Sequence, residues 1–354
     1  MIFDTPKMQR LRDKFKNVPD FDAPEIVLLD RSEHLLGERE YLEEIFKSVP
    51  EYTQKKWINN LLSNDIDNHM GTWFEMMLFG WIQDKDGFTA QPEIEDGNPD
   101  ITLNADNQLI FIEAKAILTE ESDRERNRRL AAVFLALKTI SLPFGLSIEQ
   151  LSLKSRVDVS LLNLKVKEWL ETNPDQKFVF EDRHHNIIVF TAMKVPEFDH
   201  VVASGFVDGV FVNPEVLKKP IKKKARQHKQ FRNSGYPYII ALYLDPFLQS
   251  AEEVIEAWLG KIQWTIDANE NEIIEQKSDQ SGLHFFGSEI LHRSVSGTLV
   301  FKAISDDNLK RRVLNAKYIQ NPFAKVWVDP YLFPVQSSYT VLEFAMGWRI
   351  PPKT

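Results

Sequence analysis

Two charged residues at the end of one predicted strand are the first candidates for chemistry. The segment 109–115 is apolar until its last residues, where Glu113 and Lys115 appear. Strand side chains alternate between the two faces of a sheet, so Glu113 and Lys115 point the same way. By itself, this short pattern is typical of a simple ion pair at a strand end, because such patterns recur by chance.

Asp100 begins the preceding predicted strand and changes this interpretation. A four-residue loop would pair Leu103 with Gln108, so that Asp100 faces Phe111. In that register, Asp100 shares a face with Glu113 and lies diagonal to it, about 7–8 Å away between side-chain origins. Two carboxylates and one lysine on one patch suit Mg²⁺, which binds through one or two carboxylates and keeps several waters.

A third carboxylate lies within an apolar helix. The segment 69–82 is apolar on nearly all sides, which predicts a buried helix. Glu75 has no charged neighbour from Met70 through Ile82. A buried carboxylate must be paired, protonated or bound to a metal. The alternative is that Glu75 lies on an exposed edge of the helix.

These residues together resemble the PD-(D/E)XK nuclease superfamily, which has the restriction-endonuclease-like fold. The matching pattern is Pro99-Asp100, twelve intervening residues, and then Glu113-Ala114-Lys115. The helix that carries Glu75 resembles the first core helix of that family, and 91–92 falls where its first core strand enters the site. The resemblance covers residues 68–115.

The resemblance implies a role for each matching residue. Asp100 and Glu113 would ligate Mg²⁺, with the Ala114 carbonyl as an additional ligand and Mn²⁺ as a substitute metal. Lys115 would orient or deprotonate the attacking water and offset charge on the phosphate. Glu75 would bind a second metal or an ordered water. The implied chemistry is metal-assisted hydrolysis of a phosphodiester bond.

A basic stretch is the candidate nucleic-acid contact. Residues 218–232 contain eight Lys or Arg residues and no Asp or Glu, directly before a predicted buried strand. Such a run favours contact with phosphates, and a solvated helix face is the ordinary alternative. The residues expected to contact nucleic acid are Lys222, Lys223, Lys224, Arg226 and Gln227.

Composition narrows the class of protein. The 354 residues carry 43 Lys or Arg and 52 Asp or Glu, a net charge of −9, and no cysteine. The absence of cysteine excludes disulfide scaffolds, thiolate metal sites and a cysteine nucleophile. No segment approaches the ~18 apolar residues of a membrane span, and the first residues lack the apolar stretch of a signal peptide. We therefore expect a cytoplasmic protein without a membrane partner.

The order of predicted elements gives a mixed α/β (α+β) protein with three parts. Residues 1–65 are expected to form a helical N-terminal cap, 66–245 the nuclease-like core and 246–354 a C-terminal α+β region. The next helix and strand of the core could come from 123–138 onward or from 218–244. We prefer the second, which makes the segment from about 119 to 216 largely an insertion in the core.

The expected function is that of a Mg²⁺-dependent endonuclease acting on double-stranded DNA, in restriction, repair or defence. One alternative is a catalytically silent nucleic-acid-binding or assembly protein that retains the nuclease fold. A third hypothesis is a structural ion-pair cluster in an unrelated α+β protein. The oligomeric state stays open, and a two-fold homodimer would place two sites on opposite strands.

Overall fold

The structure is a computed structural model of the chain. The residues that it describes are 1–18, 23–63, 65–93, 97–105, 108–118, 121–197, 199–205, 214–226, 234–244, 251–260, 262–266, 273–278, 281–283, 285–286, 289–290, 292–306, 308–329, 332–333, 335 and 337–339.

The chain divides into two compact units. Unit 1 consists of Met1–Asn17, Pro24–Leu118 and Phe211–Thr354, and unit 2 of Val18–Ala23 and Thr119–Val210. The predicted insertion, about 119–216, overlaps unit 2, which ends at Val210. The last residues of the predicted insertion belong to a helix that begins at Pro214 and packs against the sheet of unit 1.

The helices of unit 1 are α1 (Pro6–Phe15), α2 (Glu25–Arg31), α3 (Leu36–Ser48), α4 (Glu51–Leu61), α5 (Ile66–Gln83), α8 (Pro214–Arg226) and α9 (Ala251–Leu259). A short 3-10 helix, Glu33–Leu35, precedes α3. The predicted cap, 1–65, contains α1 to α4, which belong to the same compact unit as the sheet.

The main strands of unit 1 are β1 (Phe88–Pro92), β2 (Ile101–Ala105), β3 (Gln108–Ile117), β8 (Tyr238–Leu244), β13 (Gly297–Asp306), β14 (Arg311–Gln320) and β15 (Ser337–Tyr339). They form one sheet in the order β1-β2-β3-β8-β13-β14-β15. Two small antiparallel pairs also occur, β9 (Ile262–Ile266) with β10 (Ile273–Ser278) and β11 (Phe285–Phe286) with β12 (Glu289–Ile290).

Parallel pairing at the centre of this sheet corrects the predicted C-terminal boundary. β8 lies parallel to both β3 and β13, and every residue of β8 is buried. A separate region from 246 onward was expected, but β13 and β14 from that region complete the core sheet. The reason is that a wholly apolar strand such as β8 needs neighbours on both edges and cover on both faces.

Helices cover the two faces of β8. Trp73 and Phe74 of α5 pack against Tyr243, at ring-centroid distances of 5.2 and 5.6 Å. Ile240 and Leu242, which point to the opposite face, pack in a cluster with apolar residues of α8 and α9. The predicted mixed α/β class is confirmed, and the helix and strand that follow β3 in the core are α8 and β8, the second of the two expected arrangements.

The β2–β3 hairpin differs from the predicted register. Ala105 pairs with Gln108 and Ile101 with Ile112, so the connection is two residues rather than four. A two-residue connection is the commonest hairpin loop. The shift is an even number of residues, which preserves the faces. The expected partner of Asp100, Phe111, is therefore wrong, and continuing the observed register by one residue brings Asp100 opposite Glu113.

A buried ion pair joins α3 to β14 in unit 1. Arg312 Nη2 lies 2.6 Å from Glu38 Oε1, and its Nη1 lies 2.8 Å from Glu25 Oε1. Trp73 Nε1 donates to Glu38 Oε1 at 2.8 Å, and the guanidinium lies 4.5 Å from the Trp73 ring centroid. These contacts attach the N-terminal helices to the far half of the sheet.

Unit 2 has its own sheet and core. Its elements are α6 (Glu121–Lys138), β4 (Phe144–Ser152), α7 (Val159–Thr172), β5 (Phe178–Glu181), β6 (Ile187–Lys194) and β7 (Val202–Gly205). The strands pair in the order β5-β6-β4-β7, and Phe180, Ile188 and Phe190 pack with residues of α7 in the core. In the described part of the chain, no helix has the length and apolarity needed to cross a membrane.

Candidate metal centre

Four carboxylates of unit 1 come together beside the β2–β3 hairpin. Glu75 comes from α5, Glu93 follows β1, Asp100 precedes β2 and Glu113 lies in β3. We call these four residues the carboxylate cluster. Glu75, Glu93 and Glu113 are buried, with 7%, 8% and 0% of their surface exposed. The sequence prediction that Glu75, Asp100 and Glu113 lie close together agrees with these positions.

Lys56 of α4 compensates one side of the carboxylate cluster. Its Nζ lies 3.3 Å from Glu75 Oε1 and 3.9 Å from Asp100 Oδ1, and it also contacts the Glu93 carboxylate. Trp57 Nε1 donates to Glu75 Oε1 at 2.9 Å. One ligand atom from each of Glu75, Glu93 and Asp100 lies within 4.8 Å of the other two. An ammonium therefore already lies among three carboxylates.

Lys224 of α8 compensates the other side. Its Nζ lies 2.9 Å from Asp100 Oδ2 and 2.7 Å from Glu113 Oε2. The backbone N–H of Ala114 also donates to Asp100 Oδ2, at 2.9 Å. Asp100 thus belongs to both halves of the carboxylate cluster, and each half contains one lysine ammonium.

The surroundings lower the pKa of one carboxyl of the carboxylate cluster and raise the pKa values of two others. Burial opposes ionisation of Asp100, but the Lys224 and Lys56 ammoniums outweigh it and lower the pKa of Asp100. Burial and the negative charge of Asp100 raise the pKa of Glu113 to about 8. The same two causes raise the pKa of Glu75 to about 7, against the opposing effect of Lys56. Near neutral pH, Asp100 is ionised, whereas Glu75 and Glu113 are close to their titration points.

Lys115 does not have the compensating position that the sequence suggested. It is half-buried and, within the described residues, forms no ion pair with the carboxylate cluster. Burial lowers its pKa, and the nearby ammoniums of Lys224 and Lys223 act in the same direction. The cation between Asp100 and Glu113 is Lys224 instead, because α8 crosses β3 at this level.

An open cavity adjoins the carboxylate cluster. Its volume is about 560 Å³, and its lining includes Glu75, Asp100, Ala114 and Lys115. Lys219, Lys223 and Lys224 of α8 also line it. The cavity therefore has acidic residues from α5 and the β2–β3 hairpin and a basic wall of lysines from α8.

The residues predicted to contact nucleic acid differ in their position relative to the cavity. Lys223 is exposed and lines the cavity, whereas Lys222 and Arg226 are exposed elsewhere on α8. Lys224 is mostly buried, with 14% of its side chain exposed, because it pairs with Asp100 and Glu113. Its assignment as a phosphate contact is corrected to that of a partner of the carboxylates. Gln227 lies outside the described residues.

Sequence reasoning missed Glu93 and Lys56. Pro92 pairs with Ile101, and the Glu93 N–H donates to the Asp100 carbonyl at 2.9 Å. A prediction of the β1–β2 register would therefore have found Glu93. Lys56 lies on an amphipathic helix among ordinary surface charges, and nothing in its sequence neighbourhood marks it.

The donor set fits a hard divalent cation. Carboxylate oxygens are the ligands that Mg²⁺ and Mn²⁺ prefer, and the ammoniums of Lys56 and Lys224 lie where positive charge is favoured. Glu75, Glu93 and Asp100 form one potential donor group, and Asp100 and Glu113 form a second. Comparisons with protein-family models, with curated proteins and with solved structures found no match to this chain.

Proposed function

We propose that this chain is a Mg²⁺-dependent nuclease that hydrolyses phosphodiester bonds in double-stranded DNA. The observation that carries the proposal is the convergence of Asp100 and Glu113 on a single ammonium, beside a cavity with a basic wall. Lys115 lines the same cavity as Glu75 and Asp100, which supports the resemblance of these residues to the PD-(D/E)XK superfamily.

Asp100 and Glu113 would hold the metal, with the Ala114 carbonyl as a further ligand. Glu75 and Glu93 would hold a second cation together with Asp100. When bound, Mg²⁺ or Mn²⁺ polarises the phosphoryl oxygen and lowers the pKa of a bound water. Residues of this chain hold the carboxylates in place, because Trp57 and the Ala114 N–H donate to Glu75 and Asp100.

Lys115 would take the proton from the attacking water or stabilise charge on the phosphate. Burial lowers the pKa of Lys115, which is the direction that a general base requires. Lys219 and Lys223 would bind the flanking phosphates from the basic wall of the cavity. A cytoplasmic location is part of the proposal, since the sequence has no cysteine for the disulfides of exported domains.

A second candidate function is nucleic-acid binding without cleavage. It is favoured by one observation: Lys56 and Lys224 already compensate the carboxylate cluster, so the site is charge-balanced without a metal. In that case, Mg²⁺ would not stabilise the protein.

For the proposed nuclease, a two-fold homodimer would suit cleavage of both strands, and sedimentation would detect it.

A cleavage assay combined with thermal melting tests the proposal. Supercoiled DNA, linear duplex DNA, single-stranded DNA and RNA are incubated with the wild type in Mg²⁺, Mn²⁺ or EDTA. We expect cleavage of duplex DNA that EDTA abolishes and a rise of the melting temperature in Mg²⁺. Asp100→Asn should lose both effects, and Asp175→Asn, an exposed residue of unit 2, should lose neither.

Two outcomes would overturn the proposed function. Absence of metal-dependent cleavage of all four substrates would exclude nuclease activity. Binding of DNA without cleavage, and with no Mg²⁺ effect on the melting temperature, would favour the second candidate.

A further inference from the structure

One face of α5 forms a wall of the cavity. This wall consists of Asp67, Asn68, Gly71, Thr72 and Glu75, which recur at the spacing of a single helical face. Asp67 and Asn68 are exposed, and Thr72 and Glu75 are buried. The wall therefore runs from solvent to the carboxylate cluster, and Gly71 lies midway along it.

Packing does not explain the glycine at position 71. Glycine is the least favourable residue after proline in a helix interior. A Cβ atom added at Gly71 would meet no atom of the described residues within 4 Å. In the same helix, a Cβ atom at Gly80 would lie 2.5 Å from Ile45 Cδ1 and 2.5 Å from Tyr41 Oη, so packing requires that glycine. A side chain at position 71 would instead project into the cavity.

The rest of the cavity lining is rich in lysine. Lys219 and Lys223 of α8 and Lys115 of β3 belong to it, whereas the α5 wall contains no lysine. A nucleic-acid strand has the matching asymmetry, because its phosphates are charged and its sugars are not. Backbone without a side chain allows the uncharged side of a strand to come close to the helix.

We propose that a nucleic-acid strand passes over Gly71 to reach the carboxylate cluster, with its phosphates toward Lys219 and Lys223. This inference rests on the proposed nuclease function and assigns Gly71 as a substrate contact. Four residues of helix rise about 6 Å, so Gly71 faces the nucleotide next to the one that lies at Glu75. The absence of a side chain at position 71 thereby leaves the passage wide enough for the strand to enter.

Substitutions that stabilise the helix but fill the passage test this inference. Gly71→Ala and Gly71→Leu place better helix formers in open space, so both should melt at or up to about 3 °C above the wild type. Gly71→Leu should weaken binding of a fluorescent oligonucleotide, single-stranded or duplex, at least tenfold and reduce cleavage at least equally. The effect of Gly71→Ala should be smaller. The rise of melting temperature in Mg²⁺ should persist in both variants.

A matched control adds the same side chain elsewhere on α5. Gln83→Leu replaces the exposed last residue of the helix, outside the cavity, and should bind and cleave like the wild type. If Gly71→Leu also binds and cleaves like the wild type, the inference is overturned while the nuclease function stands. If the wild type neither binds nor cleaves any oligonucleotide, the proposed function fails and the inference fails with it.

Discussion

Lys224 and Asp100 are 124 positions apart in the sequence, yet the Lys224 ammonium lies 2.9 Å from Asp100 Oδ2. The same ammonium contacts Glu113. A lysine on a helix after unit 2 therefore neutralises carboxylates on the hairpin before it. This contact changes what the carboxylate cluster is expected to do when one of its members is altered.

Lys224→Met should lower stability without metal and increase the response to metal. Removal of one partner of a buried ion pair costs about 3–5 kcal/mol, because it leaves uncompensated charge. In EDTA, the variant should therefore melt below the wild type. Mg²⁺ should raise its melting temperature by more than it raises that of the wild type, since Lys224 no longer competes with the cation for Asp100 and Glu113. Differential scanning calorimetry with and without Mg²⁺ measures both effects.

The control for this variant is Lys222→Met on an exposed position of the same helix. It should melt like the wild type in EDTA and in Mg²⁺. A metal response of Lys224→Met no larger than that of the wild type would show that the lysine does not compete with a cation.

Lys115→Met separates catalysis from metal binding. Lys115 lines the cavity but forms no ion pair with the carboxylate cluster among the described residues. We therefore expect the Mg²⁺-induced rise of melting temperature to be retained. Loss of a general base or charge-stabilising group should reduce cleavage by about 10²–10⁴-fold. Initial rates on duplex DNA, with Lys222→Met as control, measure this, and undiminished cleavage would remove Lys115 from the mechanism.

Lys219 and Lys223 should control the salt dependence of binding. Both line the cavity, whereas Lys222 and Arg226 lie on the same helix outside it. Lys219→Gln with Lys223→Gln should flatten the slope of log K against log salt by about 0.9 for each lost phosphate contact. Anisotropy titrations in EDTA measure the slope. An equal change in Lys222→Gln with Arg226→Gln would mean that the whole helix, not the cavity wall, attracts DNA.

The raised pKa values of Glu75 and Glu113 predict how stability depends on pH. In the folded state these pKa values are about 7 and about 8, above the unfolded value of 4.5. The folded protein thus binds more protons between these limits, and its stability should fall as pH rises from about 4.5 to about 8. Urea unfolding in EDTA at about pH 5 and about pH 8.5 measures the fall.

Glutamine variants test the source of that pH dependence. Glu75→Gln and Glu113→Gln remove the titrating groups, so each should lose less stability than the wild type across this range. Glu51→Gln, at an exposed position on α4, is the control and should follow the wild type. A wild type that gains stability as pH rises, with the same gain in both buried variants, would contradict the assignment.

Disruption of the Glu38–Arg312 pair should destabilise the fold without altering the response to metal. Glu38 is completely buried, and 17% of the Arg312 side chain is exposed. Glu38→Gln should cost about 3–5 kcal/mol of unfolding free energy because the guanidinium loses its charged partner. Asp30→Asn, which breaks the more exposed pair with Arg12, should cost less. Denaturant unfolding measures both, and a lost Mg²⁺ response in Glu38→Gln would contradict the separation of the two sites.

Local patterns were sufficient to predict that three of the four carboxylates converge, but not Glu93. The alternation of side chains in β3 and the apolar character of α5 predicted that Glu113 and Glu75 lie close together. The predicted β2–β3 register was wrong by two residues, but it still placed Asp100 on the correct face. Such patterns depend on neighbours that lie close in sequence. They could not give the register itself, because a two-residue and a four-residue β2–β3 connection place the same side chains on the same face.

The lysines could not be predicted in the same way. Lys224 looks like its neighbours Lys222 and Lys223 in sequence, and only the packing of α8 on β3 turns it inward. Lys56 depends likewise on the packing of α4 against α5. Contacts between distant elements decide which of several equivalent charges becomes buried, and periodicity contains no information about that choice.

Most of unit 2 lies between β3 and α8 in the sequence, and this order has a consequence during protein synthesis. Lys224 follows Glu113 by 111 residues. At typical elongation rates, the ribosome makes a segment of that length in roughly 5–20 s. For that time, the emerging chain carries all four carboxylates with Lys56 but without Lys224. We therefore expect the β2–β3 hairpin to complete its packing only after Lys224 has left the ribosome.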